Sequence, residues 1–134
     1  MSGYSGTPLA KKLTLKDGFR VFWLEMPASV RKEIAGQKLD LREVSVSDEM
    51  DAAHLFVVEA AVLRRLLADL RGTMAQNGMI WVSWPKKASK RPTDITEDVI
   101  RDIALPMGLV DIKVCAVDAV WSGLKLVIRK ELRT

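Results

Sequence analysis

The chain has 134 residues, 49% of them hydrophobic and 28% charged, with a formal net charge of +4. That length suits one domain with an ordinary core, and the mild positive charge permits an anionic partner without requiring one. A single cysteine and a single histidine exclude an intrachain disulfide framework and a zinc site of the usual Cys/His type. No run approaches the ~20 apolar residues of a membrane helix, and the N-terminus lacks a basic region followed by an apolar one. The expectation is a cytoplasmic protein folding as one domain over 1–134.

Ser2-Gly-Tyr-Ser-Gly6 reads as a turn-prone, flexible leader covering residues 1–7. Thr7-Pro8 has the form of a helix start, with Thr7 as N-cap, for a short helix to about Leu13. Lys16-Asp-Gly18 predicts a turn. Phe19 to Leu24 is a nearly continuous apolar run rich in aromatic and branched residues, which predicts a strand buried on both faces. Pro27 and Gly36 bracket a helix of about two turns. Leu39 to Val46 alternates and predicts a strand, Ser47 to Asp51 a polar loop, and Ala52 to Val58 a second buried strand.

Glu59 to Met74 is the clearest helix. Leu63, Leu66, Leu67, Leu70 and Met74 share one face, and Asn77-Gly78 is predicted to stop it. Met79 to Trp84 predicts a further strand, which Pro85 ends. A cluster of basic residues follows: Lys86, Lys87, Lys90 and Arg91. Thr93 or Asp94 is predicted to cap the next helix, Asp94 pairing with Glu97 as a capping box. Val99, Ile100, Ile103 and Ala104 form its apolar stripe, and Pro106-Met-Gly108 closes it. Val110 to Val117 and Leu124 to Arg129 alternate and predict a hairpin at a sheet edge, joined by Asp118-Ala-Val-Trp-Ser-Gly123. Such alternation predicts an α/β, Rossmann-like fold: a mostly parallel sheet of about six strands, helices on both faces and a C-terminal antiparallel hairpin.

That order resembles a class I S-adenosylmethionine-dependent methyltransferase fold. Leu13 to Leu24 resembles the run into the family's first strand. Asp51-Ala-Ala-His-Leu-Phe-Val-Val58 resembles its fourth, which commonly opens with Asp. Leu66 through Asn77-Gly78 to Ser83 resembles its leucine-rich helix, glycine and fifth strand. Met107-Gly-Leu-Val110 resembles the turn into its sixth. A more specific resemblance is to a family of small uncharacterised bacterial proteins of this fold. It rests on residues 2–6, on Trp81-Val-Ser-Trp-Pro-Lys-Lys87 and on Trp121-Ser-Gly-Leu-Lys-Leu-Val-Ile-Arg129, and it implies no activity.

Departures from the enzyme pattern define the expected function. A glycine-rich loop follows the first strand in working methyltransferases, because backbone there approaches the cofactor closely. Glu25-Met-Pro-Ala28 stands in that place. The second strand should end in an acid that holds the ribose hydroxyls. The predicted strand end, Val44-Ser-Val-Ser47, has none; Glu43 precedes it and Asp48 follows. The segment before Asp51 is too short for another strand and helix, so the chain lacks about one βα unit. The resemblance therefore implies a non-catalytic binding or regulatory domain without a cofactor. S-adenosylmethionine enters only under the alternative of a divergent methyltransferase.

Ligands of open α/β sheets bind outside the carboxyl ends of the strands. The residues expected there are Trp84, Lys86, Lys87, Lys90, Arg91, Asp118, Trp121 and Ser122, with Tyr4 of the leader folding over them. Lysine, arginine and tryptophan together suit an anionic small molecule, a protein or a nucleic acid. The alternative is a solvated loop beside two core tryptophans, since Trp84 follows the Ile80/Val82 face. His54, inside an apolar strand with no nucleophile evident beside it, reads as a packed or hydrogen-bonded side chain. Cys115 reads as a buried small hydrophobe. Asp94, Glu97, Asp98 and Asp102 read as helix-start acids and not as metal ligands.

Overall fold

A six-stranded sheet in the order β2-β1-β3-β4-β6-β5 forms the centre of the computed structural model, which describes residues 7–134. Tyr4, Ser2 and the rest of residues 1–6 lie outside the described residues. The strands are β1 (Phe19–Leu24), β2 (Leu41–Glu43), β3 (Met50–Phe56), β4 (Met74–Pro85), β5 (Leu109–Ala116) and β6 (Trp121–Ile128). The helices are α1 (Leu9–Lys12), α2 (Ala28–Ala35), α3 (Ala60–Thr73) and α4 (Glu97–Ala104). β2, β1, β3 and β4 pair in parallel; β6 runs antiparallel between β4 and β5. The hairpin strand nearest the C-terminus is thus interior, and β5 alone forms that edge.

Period-two alternation sorts the strand side chains between two cores. Ala53, Leu55, Ile80, Val82, Leu124 and Leu126 pack with Leu63, Leu67, Leu70, Ile100 and Ile103 of α3 and α4. Ala52, Phe56, Trp81 and Trp121 pack on the opposite face with Leu9, Leu13, Val30 and Ile34 of α1 and α2. Helices therefore cover both faces, as the sequence pattern predicts. β1 is less buried than its composition suggests: only Val21 is fully enclosed.

Four expectations are corrected. Asn77-Gly78 does not stop α3. Met74 ends the helix in an extended conformation and starts β4 at once, so Asn77 and Gly78 lie within the strand at a break in the β3/β4 register. A Cβ on Gly78 would stand 3.0 Å from the Ala75 carbonyl oxygen and 3.2 Å from those of Met50 and Asp51. The glycine answers a close backbone approach, not a helix end.

The predicted strand over Leu39–Val46 shrinks to Leu41–Glu43. The N-cap of α4 is Thr96, whose hydroxyl accepts from the Val99 amide, and Glu97 bonds Arg101 instead of closing a capping box. Asp94 instead accepts from the Ala60 amide at 2.7 Å and caps α3 from a distant part of the chain. Finally, Trp121, Ser122 and Gly123 belong to β6 and not to the hairpin turn.

Candidate functional site

Five strand ends and the start of β6 meet along the carboxyl edge of the sheet. The segment after Pro85 crosses that edge and is tied down at both ends. Its first amide, Lys86 N, donates to the Val120 carbonyl at 2.7 Å. Residues 87–89 make a 3-10 turn fixed by Ser89 Oγ donating to the Lys86 carbonyl at 2.7 Å, and Lys90 leaves it in the left-handed region, φ 60°. Thr93 Oγ1 donates to the Val58 carbonyl beyond β3 at 2.7 Å. The segment is thereby laced to β3, β6 and the start of α3.

Between this segment and the sheet lies a cleft of about 390 Å³ lined by Trp84, Pro85, Lys87, Lys90, Arg91, Pro92, Thr93, Ile95 and Thr96. Trp84 is half-buried, its ring packed against the α3/α4-side core. Lys87, Lys90 and Arg91 are exposed, and Lys86 is half-buried. Among the described residues none of these four cations has a carboxylate within 4.0 Å. The lining offers an aromatic face, three positive charges and two hydroxyls. It contains no carboxylate, imidazole or thiol.

Trp121 and Trp84 do not share this cleft. Pro85 pairs with Trp121 and Trp84 with Ser122, so the two indoles point to opposite faces of the sheet. Trp121 is 7% exposed and packs edge-on to Phe56, ring centroids 5.1 Å apart. Arg91 bridges the two sides, its guanidinium 5.0 Å from the Trp121 ring centroid. Such a cation–π contact holds the end of the segment against β6. Asp118 Oδ1 accepts from the Val120 and Trp121 amides, both at 2.8 Å, so its carboxylate shapes the β5–β6 turn. Ser122 is half-buried beside Trp84 in the strand register.

The sequence pattern gives no sign of the partner of His54. His54 Nε2 lies 2.7 Å from Ser83 Oγ, with His54 1% and Ser83 0% exposed. They sit on neighbouring strands, two positions apart in register and on the same face: His54 is opposite Trp81. Recognising that β3 and β4 are adjacent and parallel is what would have located the pair. The imidazole stacks on Phe56 at 4.4 Å between centroids. Burial pushes its pKa down to about 3, and Nδ1 has no hydrogen-bond partner among the described residues. Closed off from solvent, the Ser–His pair ties β3 to β4 inside the core. Cys115 is half-buried against the same core, and burial raises its thiol pKa.

The β1–α2 junction is short. Only Glu25, Met26 and Pro27 separate the two elements. Glu25 takes φ 54°, a conformation that favours glycine, and Met26 packs into the α1/α2-side core. β2, in contrast, does end on an acid: with the strand stopping at Glu43, this carboxylate sits where the sequence-derived strand end had none. Its Oε2 is held by Arg31 Nη1 of α2 at 2.6 Å. Asp48 instead closes its own loop on Ser45. Asp51, at the start of β3, takes a bidentate fork from Arg20, which holds its carboxyl below the ordinary value.

A family model described as "Protein of unknown function (DUF3052)" matches residues 20–130. The chain belongs to the DUF3052 family. Curated proteins give no match to this DUF3052 chain in sequence.

Solved structures do match it in fold. A ribosomal protein L11 methylase from Lactobacillus delbrueckii subsp. bulgaricus superposes with TM-score 0.57 at 11% identity, over 90% of this chain and 74% of that one. A fibrillarin pre-rRNA processing protein from Methanococcus jannaschii gives 0.53 at 8% identity, over 91% and 69%. An O-methyltransferase of neocarzinostatin biosynthesis, solved with S-adenosylmethionine and a naphthoic acid, gives 0.53 at 15%, over 92% and 47%. At these identities the likeness is one of fold, and the fold is methyltransferase-like. Among the described residues no helix is long and apolar enough to cross a membrane.

Proposed function

We infer that this chain is a non-catalytic binding domain, and that its ligand is a small anionic molecule with a flat ring, of the nucleotide type. The observation that supports this most is the Trp84 cleft. A half-buried indole supplies a stacking face worth ~1–3 kcal/mol per aromatic ring bound. Lys87, Lys90 and Arg91 stand around it with no carboxylate in ion-pair distance among the described residues. The lining holds no carboxylate, imidazole or thiol, the side chains that most often carry acid–base or nucleophilic steps, and this favours binding over turnover. The expected setting is the cytoplasm, where nucleoside phosphates are abundant and a lone Cys115 stays reduced.

A divergent S-adenosylmethionine-dependent methyltransferase is the second reading, and Glu43 at the end of β2 is the observation in its favour. Against it stand the short, glycine-free β1–α2 junction and the Arg31 guanidinium that already pairs with the Glu43 carboxylate.

Calorimetric titration with a panel of nucleoside phosphates tests the first reading. Binding is expected to weaken about tenfold, ~1.4 kcal/mol, when Lys87 and Lys90 are both replaced by Ala, and similarly for Trp84→Leu. Equal affinity in both variants removes the cleft as the site. A gel shift with nucleic acid that survives Lys86→Ala, Lys87→Ala and Arg91→Ala together removes this segment as a nucleic-acid contact.

A further inference from the structure

We propose a second anion site, independent of the Trp84 cleft, where Lys16, Lys113 and Lys125 gather around Thr14 on the α1 side of the β5–β6 hairpin; its ligand is a chain of phosphate groups. Lys113 and Lys125 are direct cross-strand partners. Like charges placed opposite one another on a sheet destabilise it, so such a pair needs a reason. Each ammonium is held in place by a neutral oxygen. Lys125 Nζ donates to Thr14 Oγ1 at 2.9 Å and Lys113 Nζ to the Lys12 carbonyl at 3.3 Å. Lys12 Nζ in turn donates to the Ala116 carbonyl at 2.9 Å, which pins the end of α1 to β5. Thr14 is itself fixed in a left-handed conformation, φ 58°, with its hydroxyl turned to the Leu13 carbonyl.

No ion pair neutralises this charge among the described residues. Among the described residues no carboxylate lies within 4.0 Å of Lys12, Lys16, Lys113 or Lys125. The acids nearest in sequence serve elsewhere: Asp17 accepts from the Asp40 amide, and Asp111 pairs with Arg101 on the other face. Burial lowers the Lys125 pKa, and repulsion from Lys113 and Lys16 lowers it further. An uncompensated like-charge cluster, held in ordered positions, is a local conflict of the kind folds retain at functional sites.

The chemistry of the cluster selects the ligand. Lysines act as point charges, without the planar fork by which arginine reads a single carboxylate or phosphate. Lys16 and Lys113 are exposed while Lys125 is half-buried, so the charge spreads over an open surface. That suits several linked phosphates passing over it. Tripolyphosphate and a nucleic-acid backbone share this chemistry.

The test titrates the full chain with sodium tripolyphosphate and, separately, with a short single-stranded oligonucleotide, at low and at physiological salt. At least one of the two is expected to bind. Binding of tripolyphosphate assigns a compact phosphate chain, and binding of the oligonucleotide alone assigns a nucleic-acid backbone. Replacing the two exposed lysines, Lys16→Ala with Lys113→Ala, is expected to weaken binding roughly tenfold or more and to flatten its salt dependence. The same variant is expected to raise the melting temperature of the unliganded protein, because the repulsion on Lys125 is relieved. Lys87→Ala with Lys90→Ala is expected to remove only the binding owed to the Trp84 cleft and to leave the binding that Lys16 and Lys113 carry. The proposal is overturned if neither ligand binds at low salt. It is equally overturned if the Lys87/Lys90 variant loses binding while the Lys16/Lys113 variant keeps it.

Discussion

His54 and Ser83 show how one residue changes meaning once its neighbours are known. Along the chain His54 interrupts an apolar strand, and packing is its simplest reading. The fold adds Ser83 and three aromatic rings around it, and keeps the imidazole neutral. The sign of the pH effect follows. With a folded pKa near 3 against an ordinary 6.5, stability is complete above pH 6.5 and falls as the pH drops toward 3. The loss should be about 1.4 kcal/mol per pH unit. Asp51, whose carboxyl is depressed, stabilises at higher pH and begins to lose its contribution only below about pH 4. Urea unfolding between pH 4.5 and 6.5 therefore isolates the histidine. The slope should vanish in a His54→Phe, Ser83→Ala double variant; an unchanged slope would mean that another group carries it.

Gly123 is the residue whose reading failed most instructively. Trp-Ser-Gly looked like a turn, yet glycine inside a strand marks close packing as often as a reversal. Here a Cβ would stand 3.2 Å from Val117 Cγ2, 3.3 Å from Trp81 and 3.4 Å from Ser83 Oγ. Gly123→Ala should lower unfolding free energy by ~1–2 kcal/mol, measured by urea titration, through overpacking. Because the strand begins three residues earlier than its apolar pattern suggests, Trp121 moves from an exposed turn into a core.

Among elements, α3 was the most legible, because five apolar side chains at helical spacing leave no other period. Its ends were not. Asp94 looked like the cap of the helix that follows it, and three residues downstream Glu97 completed the pattern. Thr96 makes that cap instead, and Asp94 reaches across to the first turn of α3. Local sequence specifies that a residue suits a cap; the tertiary path decides whose cap it becomes. Asp94→Ala and Thr96→Ala should each destabilise by ~1 kcal/mol in thermal or urea unfolding. Only Asp94→Ala should also loosen residues 92–94 from α3. That variant should therefore speed amide exchange at Ala60, whereas Thr96→Ala should speed it at Val99. Reversal of those two sites would show the caps to be misassigned.

At the scale of the molecule, strand and helix order was enough to read the methyltransferase-like sheet, including the reversed last strand. Periodicity and punctuation survive in any chain that builds this architecture, so they remain legible after chemistry changes. The site was less so. Trp84 and Trp121 look like one surface in sequence, but a sheet has two faces and adjacent register places them apart. Arg91 touches both sides. The β2 acid was misplaced by an overlong strand, which in the fold ends at Glu43. After β1 the chain carries Glu25 in a left-handed conformation, Met26 packed inward and Pro27 opening α2, with no glycine.

Two titrations therefore bear on the central claim, that this fold has kept its sheet and moved its binding surface from the β1 junction to the Trp84 cleft. The more direct is isothermal calorimetry with S-adenosylhomocysteine, the demethylated cofactor, on the intact chain. The account predicts no saturable heat up to about 100 µM, an affinity weaker than about −5.5 kcal/mol. Tighter binding, abolished by Glu43→Ala and untouched by Trp84→Leu, would contradict it and return the protein to the methyltransferases.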